Sequence, residues 1–274
     1  MPELPEIYLL SLQMKSELRG KTIAAIEVLQ PKCLNVSAPT FKKALVGAGV
    51  HDVTYRGKWI FMETTQGWLL LCLGMGGEIL LTTRSALPKK YRLIFDFTDH
   101  TCLVVNFWWF GYAHYAKPNQ LQRHGMTASL GPNALDMDVA SFHRLLKGRR
   151  GRLKAFLLDQ SKMAGIGNFY IHDILFRARL HPLRTIDSLS DAEITALAET
   201  VQTRLQLSVD KGGAAFEVNL SGQKGNFGME DLVIAYKEGQ ACPVCGSMIE
   251  KIKTGGTSSF ICPGCQPLHP SQLG

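Results

Sequence analysis

The chain has 274 residues, a formal net charge of +7 and a pI near 9.0, and 46% of its residues are hydrophobic. Its longest strongly apolar stretch, Trp68 to Met75, is too short to span a bilayer, which argues against a membrane-spanning protein. The composition is ordinary for a soluble globular protein, and the length is enough for two domains or more. The absence of an export or lipidation signal predicts a cytoplasmic location. The positive charge suits a polyanionic partner, although it would also suit a membrane surface.

The amino terminus, Met1-Pro2-Glu3-Leu4-Pro5-Glu6, resembles neither an export leader nor a disordered tail. A small second residue favours removal of Met1, which would leave Pro2 as a free secondary amine beside the carboxylate of Glu3. An α-amine is partly neutral near neutral pH and can attack a carbonyl carbon to form a Schiff base. The alternative, from these residues alone, is that Pro2 and Pro5 only begin a helix.

The following residues predict a leading helix and then a β-rich domain over residues 1–116. Leu10, Met14 and Leu18 recur at helical spacing within Tyr8–Leu18, and Gly20 ends the helix. So many short strands in this stretch predict a β-sandwich or barrel. The predicted strands are Thr22–Leu29, Val53–Tyr55, Trp59–Glu63, Trp68–Leu73, Glu78–Thr82, Arg92–Phe97 and Thr101–Phe107.

Residues 117–134 lack periodicity and are interpreted as a linker, and residues 135–228 carry helical signals. Within this helical domain, residues 212–228 form a glycine-containing loop without predicted structure, and such long loops are usually functional or mobile. The predicted helices are Ser141–Lys147, with Ser141 as cap, Leu153–Met163, Gly167–Arg179 and Ser190–Leu207.

Four of the seven cysteines form two closely spaced pairs within residues 229–274. Cys242-Pro-Val-Cys245 and Cys262-Pro-Gly-Cys265 have the spacing of a tetrahedral zinc site, with two strands and a Thr254-Gly255-Gly256 turn between them. Protein thiolates would occupy all four positions, so we expect one structural zinc ion; the alternative is a redox-active CxxC pair. The remaining cysteines, Cys33, Cys72 and Cys102, are expected to be buried thiols.

Two further motifs suggest phosphate binding. Gly165-Ile-Gly167-Asn168 precedes a predicted helix, so backbone N–H groups near Asn168 could face a phosphate, and Lys154 lies one short helix upstream. Lys58, at the start of a strand, could anchor another phosphate or polarise a sugar. The alternatives are an ordinary helix–turn–helix connection and a solvated surface charge.

Met75 lies among glycines in Leu73-Gly74-Met75-Gly76-Gly77. Such a methionine is either core filler or an apolar wedge offered to a base stack.

These stretches together resemble the bacterial formamidopyrimidine-DNA glycosylase and endonuclease VIII superfamily of base-excision repair enzymes, and the first branch more closely. The resemblance runs nearly from end to end. It is carried by Pro2-Glu3-Leu4-Pro5-Glu6, Arg56-Gly57-Lys58, Leu73-Gly74-Met75, Phe110-Gly111, Leu130-Gly131-Pro132, Leu157-Leu158-Asp159-Gln160, Ala164-Gly165-Ile166-Gly167-Asn168, Leu175-Phe176-Arg177-Ala178, His181-Pro182-Leu183, Gly212-Gly213 and the four-cysteine finger.

The resemblance implies an α+β fold: a β-sandwich with a leading helix, a helix–two-turn–helix domain and a zinc-finger hairpin, with DNA in the cleft between the two lobes. It implies that Pro2 attacks C1′ of a damaged nucleotide and that the strand is then cleaved by β- and δ-elimination. Glu3 would be the general acid and base. Lys58, Lys154 and Asn168 would hold phosphates, and the partner would be double-stranded DNA with damaged bases or abasic sites, bound by a monomer.

Two positions depart from the family pattern. Trp109 stands where the family usually has an arginine that fills the gap opposite the flipped base, and Thr257 stands where the finger usually has a phosphate-gripping arginine. Trp109 can stack on a base, and the equal alternative is a core residue of an extended strand. These departures leave a second hypothesis open, a non-catalytic paralogue that binds damaged DNA.

Overall fold

The structure is a computed structural model that describes residues 1–269. These residues form two compact units: the first contains residues 1–129 and 209–226, and the second contains residues 130–208 and the chain from 227 onward. Among the described residues, no helix is both long and apolar enough to cross a membrane.

The first unit is a sandwich of two four-stranded antiparallel sheets, which confirms the predicted fold class. One sheet has the order β1-β6-β7-β5 and the other β2-β3-β4-β8. The elements are α1 (Leu4–Leu18), β1 (Ile23–Val28), α2 (Ala38–Leu45), β2 (Val50–Arg56), β3 (Trp59–Thr64), β4 (Gly67–Cys72), β5 (Glu78–Thr83), β6 (Leu93–Phe97), β7 (Thr101–Asn106) and β8 (Tyr112–Ala116).

The core of this unit lies between the sheets and under α1. Ile7, Met14 and Leu18 of α1 are fully buried, and the ring of Tyr8 lies 5.3 Å from that of Tyr55 on β2. Burying an aliphatic side chain of this size contributes about 1.5–3 kcal/mol. This packing fixes the helix that begins at the amino terminus.

One α-helix and one strand of the first unit, α2 and β8, were not predicted, and α1 is longer than predicted. α2 buries only Phe41 and Leu45, so it has no extended helical pattern of apolar residues. The sequence indicates its start through Ser37, whose Oγ accepts from the backbone N of Thr40 at 3.4 Å. β8 pairs with β4 although its sequence, Tyr-Ala-His-Tyr-Ala, has no β-branched residue. α1 begins at Leu4 rather than Tyr8.

The second unit contains four α-helices and a hairpin among the described residues: α3 (Val139–Leu146), α4 (Leu153–Leu158), α5 (Ile171–Arg177), α6 (Asp191–Asp210, whose last two residues belong to the first unit), β9 (Glu250–Thr254) and β10 (Thr257–Ile261). The predicted helices all exist, but α4 and α5 are shorter than predicted. The cap of α3 is Asp138, whose Oδ1 accepts from the backbone N of Ser141 at 2.7 Å, so the prediction of Ser141 as cap is wrong.

Residues 212–226 form a loop without a helix or a named strand, as predicted, and this loop is held by hydrogen bonds within the first unit. Val218 and Lys224 form an isolated antiparallel bridge. The backbone N of Leu220 donates to Gln13 Oε1 of α1 at 2.9 Å, and its carbonyl accepts from the backbone N of Leu81 at 2.8 Å. The segment is thereby attached to α1 and to β5 of its own unit.

Candidate active site

The first residues of the chain are fixed by α1 and by residues 213–217. Pro2 and Glu3 are buried, and Glu3 is the residue before the first turn of α1. Glu6 Oε2 accepts from the backbone N of Glu3 at 2.9 Å, and Glu6 Oε1 accepts from the backbone N of Ala214 at 3.0 Å. One side chain therefore joins the amino-terminal turn to the neighbouring loop. Gly213 has a φ of +91°, a conformation that favours glycine at this close approach.

Glu217 is a candidate site residue that the sequence did not reveal. Its Oε1 atom lies 3.5 Å from the amino-terminal nitrogen of Met1, and its side chain is only 13% exposed. Burial raises the pKa of Glu217 to about 7; the charges of Glu6 and Glu3 also raise it, while the amino terminus lowers it. A carboxyl group with this pKa can both accept and donate a proton near neutral pH. Its only sequence signal is its place in the glycine-containing loop.

Lys58 lies in the two-residue turn between β2 and β3. Arg56 and Trp59 pair on either side of it, and Gly57 has a φ of +57°. Trp59 also pairs with Cys72, the last residue of β4. Burial raises the pKa of the Cys72 thiol, and the positive charge of Lys58 acts in the opposite direction. Lys58 is half-buried. Because its neighbour Trp59 pairs with Cys72, Lys58 lies near the sheet edge where β4 ends and the Met75 loop begins.

Met75 and Trp109 are brought together by backbone hydrogen bonds between two loops. The backbone N of Met75 donates to the carbonyl of Trp109 at 2.9 Å, and the backbone N of Trp108 donates to the carbonyl of Met75 at 3.3 Å. Gly74 has a φ of +58°, and a Cβ there would clash with the Trp109 carbonyl. The side chains of Met75 and Trp109 are 45% and 64% exposed. The alternatives that Met75 is core filler and that Trp109 is a core residue of a strand are therefore wrong.

Lys154 of the second unit is buried, with 2% of its surface exposed. Its Nζ donates to four oxygens of the β9–β10 hairpin: Thr257 Oγ1 at 3.0 Å, Ser258 O at 2.7 Å, Ser259 Oγ at 2.8 Å and Thr254 Oγ1 at 3.3 Å. Burial lowers the pKa of Lys154 to about 8. An ammonium group has three donors, so a phosphate would have to replace one of these oxygens.

Asn168 lies in the turn before α5, which begins three residues later at Ile171. Its Oδ1 atom is buried without a hydrogen-bond partner among the described residues. The turn is held by Gln160, whose Oε1 accepts from the backbone N of Gly165 at 2.9 Å and whose Nε2 donates to Ile166 O at 2.9 Å. The position of Asn168 is thus fixed while part of its amide remains unsatisfied.

The four clustered cysteines form a metal centre. The Sγ atoms of Cys242, Cys245, Cys262 and Cys265 lie within 4.8 Å of one another. Cys242 and Cys265 are 3.8 Å apart at sulfur, and Cys245 and Cys262 are 3.3 Å apart. A tetrahedral zinc ion with Zn–S bonds of about 2.3 Å separates its sulfur ligands by about 3.8 Å, so this group fits one structural zinc ion.

Gln266, which the sequence did not single out for this role, anchors the zinc site. It is 1% exposed; its Oε1 accepts from the backbone N of Cys262 at 3.1 Å, and its Nε2 donates to the carbonyl of Leu180 at 2.8 Å. Such contacts orient the residues that hold a metal.

Three family models match the chain in order. The formamidopyrimidine-DNA glycosylase N-terminal domain matches residues 1–107, the formamidopyrimidine-DNA glycosylase H2TH domain matches residues 129–219, and the zinc finger found in FPG and IleRS matches residues 239–268.

Individual relatives match over almost their whole length. The chain is 33% identical over 276 residues to a formamidopyrimidine-DNA glycosylase of Bacillus cereus, covering 97% of this chain and 99% of the relative. It is 32% identical over 273 residues to that of Streptococcus pneumoniae, with the same coverage.

Solved structures agree with these sequence matches. A complex between the Lactococcus lactis Fpg and abasic-site DNA has a TM-score of 0.87 at 27% identity, covering 97% of this chain and 100% of that one. A structure of MutM in complex with DNA containing carbocyclic 8-oxo-G has the same TM-score, identity and coverage. The end-to-end matches and the four-cysteine centre lead to one conclusion: this chain is a member of the formamidopyrimidine-DNA glycosylase family.

Proposed function

We propose that the chain is a base-excision repair DNA glycosylase with abasic-site lyase activity, and that Pro2 is its nucleophile. The observation that carries this proposal is the carboxylate-lined amino terminus, which hydrogen bonds join to a neighbouring loop. Glu3, Glu6 and Glu217 surround the first residues, and the loop that contains Glu217 is held to α1 by hydrogen bonds. A terminal amine that is fixed beside proton acceptors is arranged for covalent catalysis.

The reaction begins when Met1 has been removed and the neutral secondary amine of Pro2 attacks C1′ of the damaged nucleotide. The C1′–N bond breaks, the base leaves with a proton, and the sugar ring opens to give an iminium ion at Pro2. This cation acidifies C2′, so loss of a C2′ proton expels the 3′ phosphate. A second elimination expels the 5′ phosphate, and water releases the sugar fragment from Pro2.

Glu3 would protonate the sugar ring oxygen as the ring opens and later accept a proton, since its side chain is adjacent to Pro2 and buried. Lys58 would hold a phosphate beside the reacting sugar from its position in the β2–β3 turn. Charge-assisted hydrogen bonds of this kind are stronger than neutral ones.

The remaining predicted residues would hold bent DNA. Met75 and Trp109 project from adjoining loops and would enter the base stack, where apolar wedges favour kinking. Asn168 would contact a backbone phosphate through its amide. Lys154 would act on phosphates directly or through the hairpin residues it holds, among them Thr257.

The partner is double-stranded DNA that contains damaged bases or abasic sites, which suits the net charge of +7. We also propose a cytoplasmic location, which the bacterial origin of the relatives supports.

The test is borohydride trapping on a duplex with one abasic site, because the reducing agent converts a Schiff base into a stable amine. The protein without Met1 should yield a covalent complex. A matched control with a Gly-Ser extension before Pro2 should bind the duplex and yield no complex, since its terminal amine is displaced. Binding without trapping in the processed protein would instead support a non-catalytic damage-binding protein.

A further inference from the structure

Two histidines of the first unit form a buried pair to which the reaction proposed above gives no role. His114 lies on β8, and His124 lies ten residues later, in the segment that follows this strand. The two residues are 8% and 9% exposed. His114 Nδ1 lies 2.8 Å from His124 Nε2, and His124 Nδ1 lies 2.8 Å from Thr127 Oγ1. These three side chains, the histidine clamp, therefore form one continuous chain of hydrogen bonds between β8 and the following segment.

The histidine clamp requires neutral rings. Two neutral histidines satisfy it in either direction, because each ring donates through one nitrogen and accepts through the other. One added proton would place a charge where the surroundings exclude water, which is costly. A second proton would place two N–H groups opposite each other between His114 and His124. The clamp is therefore most stable when neither histidine is charged.

The histidine pair packs on Trp59, the first residue of β3. The centroid of the Trp59 ring lies 5.7 Å from that of His114 and 5.6 Å from that of His124. Tyr112 of β8 stacks on the same indole at 5.9 Å, with an angle of 10° between the ring planes. Trp59 is 6% exposed. Because buried side chains are closely packed, a displacement of these rings would be transmitted to Trp59.

Trp59 directly follows Lys58, the residue that would hold a phosphate beside the reacting sugar. Gly57 and Lys58 form the two-residue turn, and the pairing of Arg56 with Trp59 closes it. A shift of Trp59 therefore reaches the Lys58 backbone across a single peptide bond. A displacement of about 1 Å that begins away from the chemistry can lower a rate by about 100-fold.

We propose that His114, His124 and Thr127 are positioning residues, which hold Trp59 in place and thereby fix the phosphate contact of Lys58. The proposal rests on the proposed function, because it assigns a support to the Lys58 of that site. The histidine clamp acts through Trp59 rather than on the DNA. Its role is separate from the chemistry at Pro2.

The histidine clamp also makes this support depend on pH. Burial lowers the pKa of both histidines, and the charge of His124 lowers that of His114 further, to about 4. A detached segment would take up protons near the ordinary value of 6.5, whereas the packed pair resists them. The contribution of the clamp is therefore full above pH 6.5 and is lost as the pH falls toward 4.

The groups around the pair are few in kind. On the face of β3, β4 and β8 that carries His114, the titratable side chains are Glu63, Cys72 and Tyr112. The segment after β8 carries Lys117 and Arg123, which are both exposed. Burial is the first cause of the lowered pKa of each histidine, so the pH dependence belongs to the packing of the pair.

The first test is a double-mutant cycle of His124→Leu with Lys58→Met. The measurement is affinity for a duplex that contains tetrahydrofuran, a stable abasic analogue. His124→Leu should weaken binding about 10-fold when Lys58 is present, since a charge-assisted hydrogen bond is then misplaced. With Lys58→Met the same substitution should change the affinity by less than about twofold. An equal loss in both backgrounds would overturn the proposal, because the pair would then act independently of Lys58.

Three further variants identify the hydrogen bond as the cause. His124→Gln places an amide nitrogen near the position of Nε2 and should recover most of the affinity that His124→Leu loses. Thr127→Val keeps the shape of the side chain and removes its hydroxyl, so it should weaken binding even where His124→Leu does not fold. The matched control is His143→Leu in the second unit, a histidine whose Nε2 lies 2.9 Å from Thr195 Oγ1, and it should bind as the parent does. Parent-like binding by a folded Thr127→Val, or no recovery in His124→Gln, would contradict the positioning role.

The second test is the pH profile of single-turnover cleavage of an abasic duplex. The parent is compared with the double variant His114→Asn, His124→Gln, whose amides do not titrate. Below pH 6.5 the rate of the parent should fall relative to that of the double variant, because only the parent takes up protons at the clamp. Parallel profiles would contradict the pH-dependent support of Lys58.

Borohydride trapping of the parent, run in parallel, separates this inference from the proposed function. The binding cycle needs no reaction, so it remains readable in either case. A parent that is trapped on DNA but shows no coupling between His124 and Lys58 refutes only the positioning role. A parent that is never trapped refutes the proposed function.

Discussion

The carboxylate of Glu217 lies 3.5 Å from the amino-terminal nitrogen of Met1. The nitrogen of Pro2 is three bonds from that atom, so it lies within about 7 Å of the same carboxylate oxygen. Burial raises the pKa of Glu217, and the negative charges of Glu6 and Glu3 raise it further. The positive charge of the amino terminus lowers the same pKa. The protonation state of Glu217 is therefore linked to the state of the amino terminus.

Replacing Glu217 by Gln should change how stability depends on pH. Burial raises the pKa of Glu217 from 4.5 to about 7, so the folded protein holds a proton that the unfolded chain has lost between these values. Its contribution to the free energy of unfolding is full below pH 4.5 and is lost as the pH rises through 7. From pH 5 to pH 8 the parent should lose about 1–3 kcal/mol relative to Glu217→Gln, as measured by urea unfolding. Parallel pH profiles for the two proteins would show that Glu217 titrates normally.

Trp109→Ala should weaken binding to abasic DNA without loss of stability. The side chain is 64% exposed, so its removal opens no core cavity, whereas a lost stacking contact costs about 1–3 kcal/mol of binding. Fluorescence anisotropy with a labelled duplex measures the change. Trp109→Phe keeps an aromatic face and should bind more tightly than Trp109→Ala; equal affinity of Trp109→Ala and the parent would exclude stacking.

Lys154→Met should destabilise the second unit. The substitution removes the charged donor for Thr257 Oγ1, Ser258 O and Ser259 Oγ, and losing hydrogen bonds to a charged group costs about 1–3 kcal/mol. Lys253→Met, on the same hairpin but exposed, is the matched control and should have little effect. Thermal unfolding compares the two. Equal melting temperatures would mean that the hairpin does not depend on the Lys154 ammonium.

Removal of zinc should disorder the hairpin and weaken DNA binding. The four thiolates that meet around the ion would repel one another without it, and structural zinc sites contribute directly to folding. The protein should contain one zinc ion per chain by elemental analysis, and Cys262→Ser should lose it. Cys102→Ala removes a buried thiol of the sandwich and should retain the metal. Full zinc content in Cys262→Ser would contradict the assignment.

Local periodicity predicted most of the fold because the sandwich strands and main helices carry strong patterns. The strands β3 and β4 are nearly continuous apolar runs, and α1 has Leu10, Met14 and Leu18 on one buried face. β8 was missed because only its two tyrosines favour a strand, and its order comes from its pairing with β4. Element boundaries depended on single hydrogen bonds, such as the one that makes Asp138 rather than Ser141 the cap of α3.

The sequence predicted the chemical role of the site residues better than it predicted the structural environment of each side chain. The cysteine spacing was sufficient for the zinc site because ligand number and distance determine it. The burial of Lys154 depends on hairpin residues about a hundred positions away, and the place of Glu217 depends on the packing of its loop against α1. No local pattern encodes such contacts between distant segments.

The most direct test of the central claim is to locate the adduct after borohydride trapping. The reduced complex on an abasic duplex is digested with protease and nuclease, and the modified peptide is sequenced by mass spectrometry. The mass of a reduced sugar should lie on the nitrogen of Pro2 in peptides that lack Met1. An adduct on a lysine, or trapped peptides that still begin with Met1, would contradict the assignment of Pro2 as the nucleophile.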